Sequence, residues 1–288
     1  MTYGVERIVD VLQVTSDYFA EKSIESASLN AERLLADVLD VRRIDLNLQF
    51  DRCLSDGELD RYREMVRRRA SGEPLQYILG ETEFYSLGLN VCPSVLIPRP
   101  ETELLVDLII SRFKDHDSPR IADIGTGSGC IAIALAVNLP GAVIEAVDLS
   151  GDALAVAQEN VARHGVEDRI TCSISDLLSD LGDERLDAVV SNPPYIAQGD
   201  FDTLPTEVRE YEPVQALFAG DDGLSVMRRL VGEAGVALAG GGLLALEVGA
   251  GQADAVRDLV LSEIPDAEIE VHVDLSGIER VVMAQRTG

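Results

Sequence analysis

The tetrapeptide Asn192-Pro193-Pro194-Tyr195 carries the groups needed to hold a planar nitrogen. The side-chain oxygen of Asn192 and the carbonyl of Pro193 can each accept one hydrogen bond from an NH₂ group. The prolines stiffen the backbone, and the ring of Tyr195 offers a flat face to an amide or a base. A plain turn after a strand is the alternative interpretation. We predict that Asn192, Pro193 and Tyr195 are catalytic and that all four residues bind the substrate.

A nitrogen held in this way is suited to methyl transfer. Its lone pair would point at a sulfonium methyl group, and such positioning contributes up to roughly 7–11 kcal/mol in intramolecular reactions. The methylated amide cation is very acidic and loses its proton readily, so no strong general base is required. The dispersal of the three histidines, His116, His164 and His272, is therefore no obstacle to this chemistry.

A glycine-rich loop with the pattern D-x-G-x-G-x-G stands at the end of the strand predicted at residues 120–124. Glycines permit a sharp turn and let backbone amides approach a ligand, while the positive end of the next helix faces the same crevice. The leading aspartate could help to hold a cationic amino-acid group. The predicted cofactor-binding residues of this loop are Asp123, Gly125, Thr126, Gly127, Ser128 and Gly129.

Two further strand ends would complete a site for an adenosine ligand. Asp148 could accept hydrogen bonds from both ribose hydroxyls, and Asp176 and Leu177 could meet the adenine; Asn192 is also predicted to contact the cofactor. Read from Gly127, the loop equally fits the dinucleotide pattern G-x-G-x-x-A, so the loop alone permits NAD or S-adenosylmethionine. The leading aspartate and the tetrapeptide favour S-adenosyl-L-methionine, with S-adenosyl-L-homocysteine as the product.

The first part of the chain is predicted to be helical. Two segments cover residues 4–21 and 27–39, and a third begins at a capping box formed by Ser55 and Glu58 and ends before Gly72.

The last turn of this third helix carries Arg67, Arg68 and Arg69, the densest basic patch of the chain. Two interpretations stay open for these arginines. They could be solvated and complement the helix dipole, or they could form a docking surface for a macromolecule.

Strands and helices alternate in the rest of the chain. Residues 83–97, with Gly88 and Pro93 as punctuation, predict a β-hairpin linker. Later helices are predicted at residues 130–138, 152–164, 224–239 and 253–264, with strands at 120–124, 142–148, 170–174, 186–191 and 242–248 and a closing hairpin at 268–285. This order predicts an α/β fold: a doubly wound, seven-stranded, mostly parallel sheet with a C-terminal antiparallel hairpin, plus a small all-α N-terminal domain.

Composition excludes several functional classes. The net charge of −27 would repel a phosphate backbone, so we expect no direct binding of nucleic acid. The four cysteines are scattered and no histidine lies nearby, which predicts buried free thiols and no metal site. No apolar run reaches the roughly 18 residues of a membrane span, and the N-terminus does not look like a signal peptide. We expect a cytoplasmic monomer without membrane contact.

With these motifs in hand, the chain resembles the HemK/PrmC family, the N(5)-glutamine methyltransferases of peptide chain release factors. The similarity extends over nearly the whole length. The tetrapeptide is shared with adenine and cytosine amino-methyltransferases, whereas GEPLQYILG and IPRPETE are more specific. The similar segments are residues 72–80, 97–103, 211–213, 222–224, 247–249 and 277–280.

The resemblance implies a class I S-adenosylmethionine methyltransferase with three parts: a helical release-factor-binding domain at residues 1–81, a hairpin linker at 82–98 and a methyltransferase domain at 99–288. It implies that the tetrapeptide grips the glutamine of the Gly-Gly-Gln motif in class I release factors. Family members often have an aromatic residue where this chain has Leu177, which weakens adenine stacking. Arg99 and Glu101 receive no role.

Two rival functions stay open at this point. A nucleic-acid amino-methyltransferase would share the tetrapeptide but would need a basic cleft, which the net charge of −27 opposes. A non-enzymatic adenosine-binding module would bind the cofactor without transferring its methyl group.

Overall fold

The computed structural model describes residues 6–182 and 185–287. In chain order the helices are α1 (Ile8–Glu21), α2 (Ala27–Leu39), α3 (Asp56–Ala70), α4 (Leu75–Leu79), α5 (Thr102–Phe113), α6 (Cys130–Asn138), α7 (Gly151–His164), α8 (Thr206–Tyr211), α9 (Ser225–Ala237) and α10 (Ala253–Glu263). The strands are β1 (Glu81–Phe84), β2 (Leu87–Asn90), β3 (Arg120–Ile124), β4 (Val143–Asp148), β5 (Ile170–Ile174), β6 (Leu186–Ser191), β7 (Leu238–Glu247), β8 (Ala267–Val273) and β9 (Glu279–Arg286).

The chain divides into two compact units. One comprises Met1–Gly80 with Thr206–Tyr211, and the other comprises Glu81–Pro205 with Glu212–Gly288. Helix α8 therefore belongs to the helical unit, although the predicted boundaries had placed residues 206–211 with residues 99–288. A hydrogen bond joins α8 to this unit, because the Tyr211 hydroxyl donates to the Ser71 carbonyl oxygen at 3.1 Å.

The helical unit has its own apolar core, in which α1, α2 and α3 bury Phe19, Leu34 and Tyr62. Helix α2 has the predicted bounds, and α1 is described from Ile8 onward; the start of its predicted segment, residues 4 and 5, lies outside the described residues. The predicted capping box is present at the start of α3, where the Glu58 carboxylate accepts from the Ser55 backbone N–H at 2.8 Å.

The three arginines at the end of α3 lie in different environments. Arg69 is only 9% exposed, and its guanidinium donates to Asn30 Oδ1 at 2.8 Å and lies 3.1 Å from Glu207 Oε2. Arg68 pairs with Glu73 at 2.5 Å, whereas Arg67 is largely exposed. Both interpretations that treated all three side chains as accessible are therefore wrong for Arg69, because this arginine fills a buried polar site between helices.

The predicted hairpin is present as β1 and β2, which pair antiparallel. Its two-residue turn is Tyr85-Ser86, with φ of 52° and 59°, the backbone signs of a type I′ turn. Gly88, which the sequence suggested as punctuation, lies inside β2 instead. The paired strands end at Asn90, short of the predicted end at residue 97.

The second unit is built on a seven-stranded sheet with the order β5-β4-β3-β6-β7-β9-β8. The first five strands in this order, β5, β4, β3, β6 and β7, are parallel to one another. Strand β9 runs antiparallel to both β7 and β8. This topology confirms the predicted fold class. The predicted helix at 224–239 is shorter than expected, because α9 ends at Ala237 and β7 begins at the next residue.

Helices cover both faces of this sheet, as a parallel sheet requires. Helices α5, α6 and α7 pack their apolar residues on one face, and α9 and α10 pack on the other. The strand order reverses beside β3, which has β4 on one side and β6 on the other. In doubly wound sheets a ligand crevice forms at this point, beyond the carboxyl ends of the strands.

The cysteines and histidines do not form a cluster. All four cysteines are free, as predicted, but the prediction that they are buried is wrong for Cys53, which is exposed, while the other three are only partly buried. Over residues 6–182 and 185–287, no group of three or more His, Cys, Asp or Glu side chains could hold a metal ion. Within the same ranges, no helix is both long enough and apolar enough to cross a membrane.

The buried position of Arg69 gives a first prediction. Arg69→Ala should lower the free energy of unfolding by about 1–3 kcal/mol, because it leaves the buried Asn30 Oδ1 without its donor. Arg67→Ala, on the same helical turn but exposed, is the matched control and should leave stability nearly unchanged. Urea denaturation of both variants measures the difference. Equal losses would contradict the buried role of Arg69.

Candidate active site

A cavity of about 210 Å³ lies at the carboxyl ends of the parallel strands. Its wall contains two residues of the glycine-rich loop, the end of β4, the residues just after β5, and the first three residues of the tetrapeptide. The predicted site residues on this wall are Gly125, Gly127, Asp148, Asp176, Leu177, Asn192, Pro193 and Pro194. The structure therefore brings most of the predicted site together, although these residues are distant in the sequence.

The glycine-rich loop is tied to the neighbouring strand. The backbone N–H groups of Gly125 and Thr126 both donate to the Val147 carbonyl oxygen of β4 at 2.9 Å. Gly129, with φ of +80°, precedes α6 in a left-handed conformation. A side chain would be strained in this conformation, and its Cβ would also lie 3.2 Å from Ile133 Cδ1, so glycine is needed here for the turn.

Asp123 lies beneath this loop and is completely buried. Its Oδ2 accepts from Thr126 Oγ1 at 2.7 Å and from the Ala132 N–H at 3.1 Å. Burial raises its pKa to about 7, although these hydrogen bonds oppose the shift. Among the described residues, Oδ1 has no hydrogen-bond partner. Asp123 thus organises the loop from below, and its predicted contact with a cationic cofactor group stays a prediction.

Thr126 and Ser128 are also buried, at 4% and 2% exposure. Neither residue lies on the cavity wall, so the predicted contacts of Thr126 and Ser128 with a cofactor stay predictions. The sequence predicted them as part of the loop without distinguishing side chain from backbone.

Asp148 lies on the cavity wall at the end of β4. Its Oδ2 accepts from the Gly127 N–H and its Oδ1 accepts from the Ser150 N–H, both at 2.9 Å. Each carboxylate oxygen has a further lone pair, so these bonds leave acceptors for two ribose hydroxyls. Ser150 in turn caps α7 through the Ala153 N–H, as predicted.

The opposite end of the cavity is formed by Asp176 and Leu177. Asp176 pairs with Arg229 of α9 at 2.9 Å. Leu177 has φ of +58°, a left-handed conformation that is rare for a branched residue and costs roughly 1–3 kcal/mol. Ser175 Oγ donates to the Leu177 carbonyl oxygen at 2.8 Å, which holds the turn in place. The apolar side chain predicted at the adenine face is therefore on a tightly defined turn.

Asn192 follows β6 and is held from the side by two residues whose role the sequence did not reveal. Its Nδ2 donates to Thr102 Oγ1 at 3.0 Å, and this hydroxyl donates to Glu247 Oε2 at 2.6 Å. Both partners are 2% exposed. Both residues lie in segments that resemble the HemK/PrmC family, 97–103 and 247–249, and this resemblance was the only sequence signal for them. Their contact with Asn192 depends on the fold.

The structure does not bring Tyr195 to the wall of this cavity. Its carbonyl oxygen accepts from Gln252 Nε2 at 3.0 Å, and a side chain on Gly249 would lie 3.1 Å from its ring. Burial raises the pKa of its hydroxyl. Contact between the Tyr195 ring and a substrate therefore stays a prediction.

Arg99, which received no role from the sequence, has a structural partner. Its guanidinium lies 2.6 Å from Glu212 Oε1, and the Ile97 N–H donates to Glu212 Oε2 at 3.3 Å. Glu212 is 4% exposed. This pair fixes the chain just after Ser94, Val95 and Leu96, which form another part of the cavity wall.

Comparison with known proteins identifies the family. Residues 10–80 match the PrmC N-terminal domain, and residues 102–208 match the methyltransferase small domain. The release factor glutamine methyltransferase of Rhodopirellula baltica is 41% identical over 284 residues, covering 97% of this chain and 96% of that protein. That of Geobacter sulfurreducens is 46% identical over 272 residues, 94% of each. The chain belongs to the release factor glutamine methyltransferase family.

Membership of the release factor glutamine methyltransferase family confirms the resemblance drawn from the motifs. A solved structure supports the fold independently: the hMettl16 catalytic domain in complex with MAT2A 3′UTR hairpin 1 has a TM-score of 0.57 and covers 95% of this chain and 91% of its own. At 18% identity this likeness concerns the fold alone.

The residues of this family member fit S-adenosyl-L-methionine. Gly125 and Gly127 leave backbone open to the cavity, Asp148 retains acceptors, and the unpartnered Oδ1 of Asp123 marks an unmet acceptor beneath the loop. When bound, the cofactor supplies an electrophilic methyl group. The chain supplies the surface that orients it.

The buried Asp123 carboxyl predicts a pH-dependent stability. In the unfolded chain this group ionises at its ordinary pKa near 4, whereas in the folded chain it holds its proton up to about pH 7. The free energy of unfolding should therefore fall as pH rises through this window. Asp123→Asn should make that fall shallower between about pH 5 and about pH 8, as measured by urea denaturation.

The control for this measurement is Asp187→Asn, on the neighbouring strand β6. Asp187 is only partly buried and accepts from the Arg120 N–H. The substitution removes a carboxylate from the same sheet, so an effect shared by both variants would not be specific to Asp123. A slope unchanged by Asp123→Asn would contradict the assignment of a raised pKa to that carboxyl.

Proposed function

We propose that this protein transfers the methyl group of S-adenosyl-L-methionine to the side-chain amide nitrogen of a glutamine in class I peptide chain release factors, within their Gly-Gly-Gln motif. One observation carries the proposal: the Asn192-Pro193-Pro194 acceptors line the same cavity as the glycine-rich loop and Asp148. The substrate amide and the cofactor methyl group could thus meet in one enclosed space.

For methyl transfer to an amide, the main contribution of this site is to position the amide nitrogen. Two acceptors, Asn192 Oδ1 and the Pro193 carbonyl, would hold both N–H bonds of the glutamine NH₂ group and direct its lone pair at the methyl carbon. The C–N bond forms as the S–C bond breaks, leaving S-adenosyl-L-homocysteine. The acidic N-methylated cation then loses its extra proton to water.

The relatives support the choice of substrate. Two relatives that match over nearly their full lengths are release factor glutamine methyltransferases, and residues 10–80 match the PrmC N-terminal domain. We propose that residues 1–81 bind the release factor, that residues 82–98 are a linker, and that residues 99–288 carry out the transfer. Binding of release factors also fits a cytoplasmic protein, and we expect a monomer.

A nucleic-acid acceptor is disfavoured by charge. The net charge of −27 creates a field that repels phosphates at long range. Arg229, a basic residue on the cavity wall, is already paired with Asp176. We therefore propose that neither DNA nor RNA is a direct substrate and that the protein acts without membrane contact.

The catalytic assignment predicts a split between binding and chemistry. Asn192→Ala should lower methylation of a release factor by roughly 100-fold or more, because it removes an acceptor that positions the amide. Its affinity for S-adenosyl-L-methionine, measured by calorimetry, should stay within a few-fold of the wild type. Incorporation of labelled methyl is the activity readout, with DNA as a parallel acceptor. Labelling of DNA alone would exclude the proposed substrate, and normal turnover by the variant would exclude the role of Asn192.

The cofactor assignment predicts the converse behaviour for Asp148. Asp148→Ala should weaken S-adenosyl-L-methionine binding by about ten-fold or more, because it removes the ribose acceptor and the hydrogen bond that holds Gly127 of the loop. Asp152→Ala is the matched control, since this exposed carboxylate lies in the first turn of α7, near Asp148 in the sequence. If both variants bound the cofactor equally well, Asp148 would have no role in the cofactor site.

A further inference from the structure

A short hydrogen-bonded chain connects three strand and helix ends at the back of the cavity. The members are Asn192 after β6, Thr102 at the start of α5 and Glu247 at the end of β7. Ser191 is paired with Leu246 in the parallel sheet, so that Asn192 and Glu247 leave their strands side by side. The chain runs from the cavity wall into the protein interior, because Thr102 and Glu247 are each only 2% exposed.

The chemistry of this chain allows one arrangement of hydrogens. An ionised carboxylate is an acceptor only, so the Thr102 hydroxyl must donate its single proton to Glu247, at 2.6 Å. The Thr102 oxygen can then only accept from Asn192, which must turn its NH₂ end toward Thr102, at 3.0 Å. The other polar atom of the Asn192 side chain, its carbonyl oxygen Oδ1, then points away from Thr102.

We propose that Thr102 and Glu247 are positioning residues that fix the Asn192 amide with its oxygen available to the substrate, and so make the site selective for an NH₂ group. This inference rests on the proposed function of Asn192. A flipped Asn192 would present its own NH₂ to the substrate NH₂, and two donors cannot bond. Neither residue needs to touch the substrate.

The orientation depends on the ionisation of Glu247. A protonated Glu247 could donate to Thr102, whose hydroxyl would then be free to donate to a flipped Asn192. Burial raises the pKa of Glu247 to about 7; the Thr102 hydrogen bond, Arg280 and Asn192 oppose this shift, and Glu101 adds to it. The ionised, correctly orienting form is therefore gained as pH rises through about 7.

Other titratable groups near Glu247 define the controls. Arg280 reaches it from β9 and is itself paired with Asp274 at 3.1 Å, while Glu101 precedes α5. Glu247 in turn acts on the Tyr195 hydroxyl and the Cys130 thiol, and burial raises the pKa of both groups. Asp123 is the second buried carboxyl of the site with a pKa near 7.

The first test is a pair of substitutions at Thr102. Thr102→Val keeps the volume and removes the hydroxyl, and it should slow single-turnover methyl transfer to a release factor by about ten-fold or more. Thr102→Ser keeps the hydroxyl and should restore the rate to within about three-fold of the wild type. Calorimetric affinity for S-adenosyl-L-methionine should be unchanged in both, which also shows that they are folded. A wild-type rate in Thr102→Val would overturn the proposal.

The second test is the pH profile of the same single-turnover rate. In the wild type the rate should rise through about pH 7 and then level off. Glu247→Gln should lose this rise, because a glutamine can donate or accept at any pH and no longer selects one orientation. Asp123→Asn should keep the rise. If Glu247→Gln kept it and Asp123→Asn lost it, the orienting group would not be Glu247.

Failure of the proposed function would look different. A wild-type protein that labelled nucleic acid and not the release factor would exclude the release-factor substrate. Adenine and cytosine also present an NH₂ group, so the same variants and pH series on that acceptor would still support or overturn the positioning role of Thr102 and Glu247.

Discussion

Carboxylates from three strands hold the glycine-rich loop and Asn192 in place around the active site. A buried polar group without a partner is costly, so the buried donors of this site need such acceptors. Asp123 meets this need beneath the glycine-rich loop, Asp148 binds the loop from the next strand, and Glu247 holds Asn192 through Thr102. The walls of the cavity therefore depend on acceptors supplied by three different strand ends.

Burying the ionised form of Asp123 or Glu247 costs free energy, and both groups lie at the proposed active site. Burial raises the pKa of both Asp123 and Glu247 to about 7, far from the ordinary value of a carboxyl group. Raised pKa values often accompany functional sites, because such sites are assembled from polar groups inside a poorly solvated crevice. In Glu247 the same burial that costs stability makes the group responsive near neutral pH.

A second support reaches the loop from the hairpin. Asn160 of α7 is fully buried; its Nδ2 donates to the Ser128 carbonyl oxygen at 2.9 Å, and its Oδ1 accepts from the Asn90 N–H at 2.7 Å. The hairpin, which the sequence suggested only as a linker, is thus bonded to the same element that holds the glycine-rich loop. Segments with no direct role in chemistry still determine where the loop lies.

Local sequence patterns predict the fold class, most of the order of helices and strands, and the eight cavity-wall residues that belong to the predicted site. Periodicity, caps and glycines are local signals, so α2, α3 and the parallel strands could be predicted from adjacent residues. Helix α5 was not predicted, because its first residues, from Thr102, belong to the IPRPETE segment, which was interpreted only as a family motif. Three features depend on how the chain packs in three dimensions: the burial of Arg69, the position of Tyr195 off the cavity wall, and the contacts of Thr102 and Glu247 with Asn192. These are contacts between residues up to 145 positions apart, and no local pattern encodes which side chains meet when strands and helices pack.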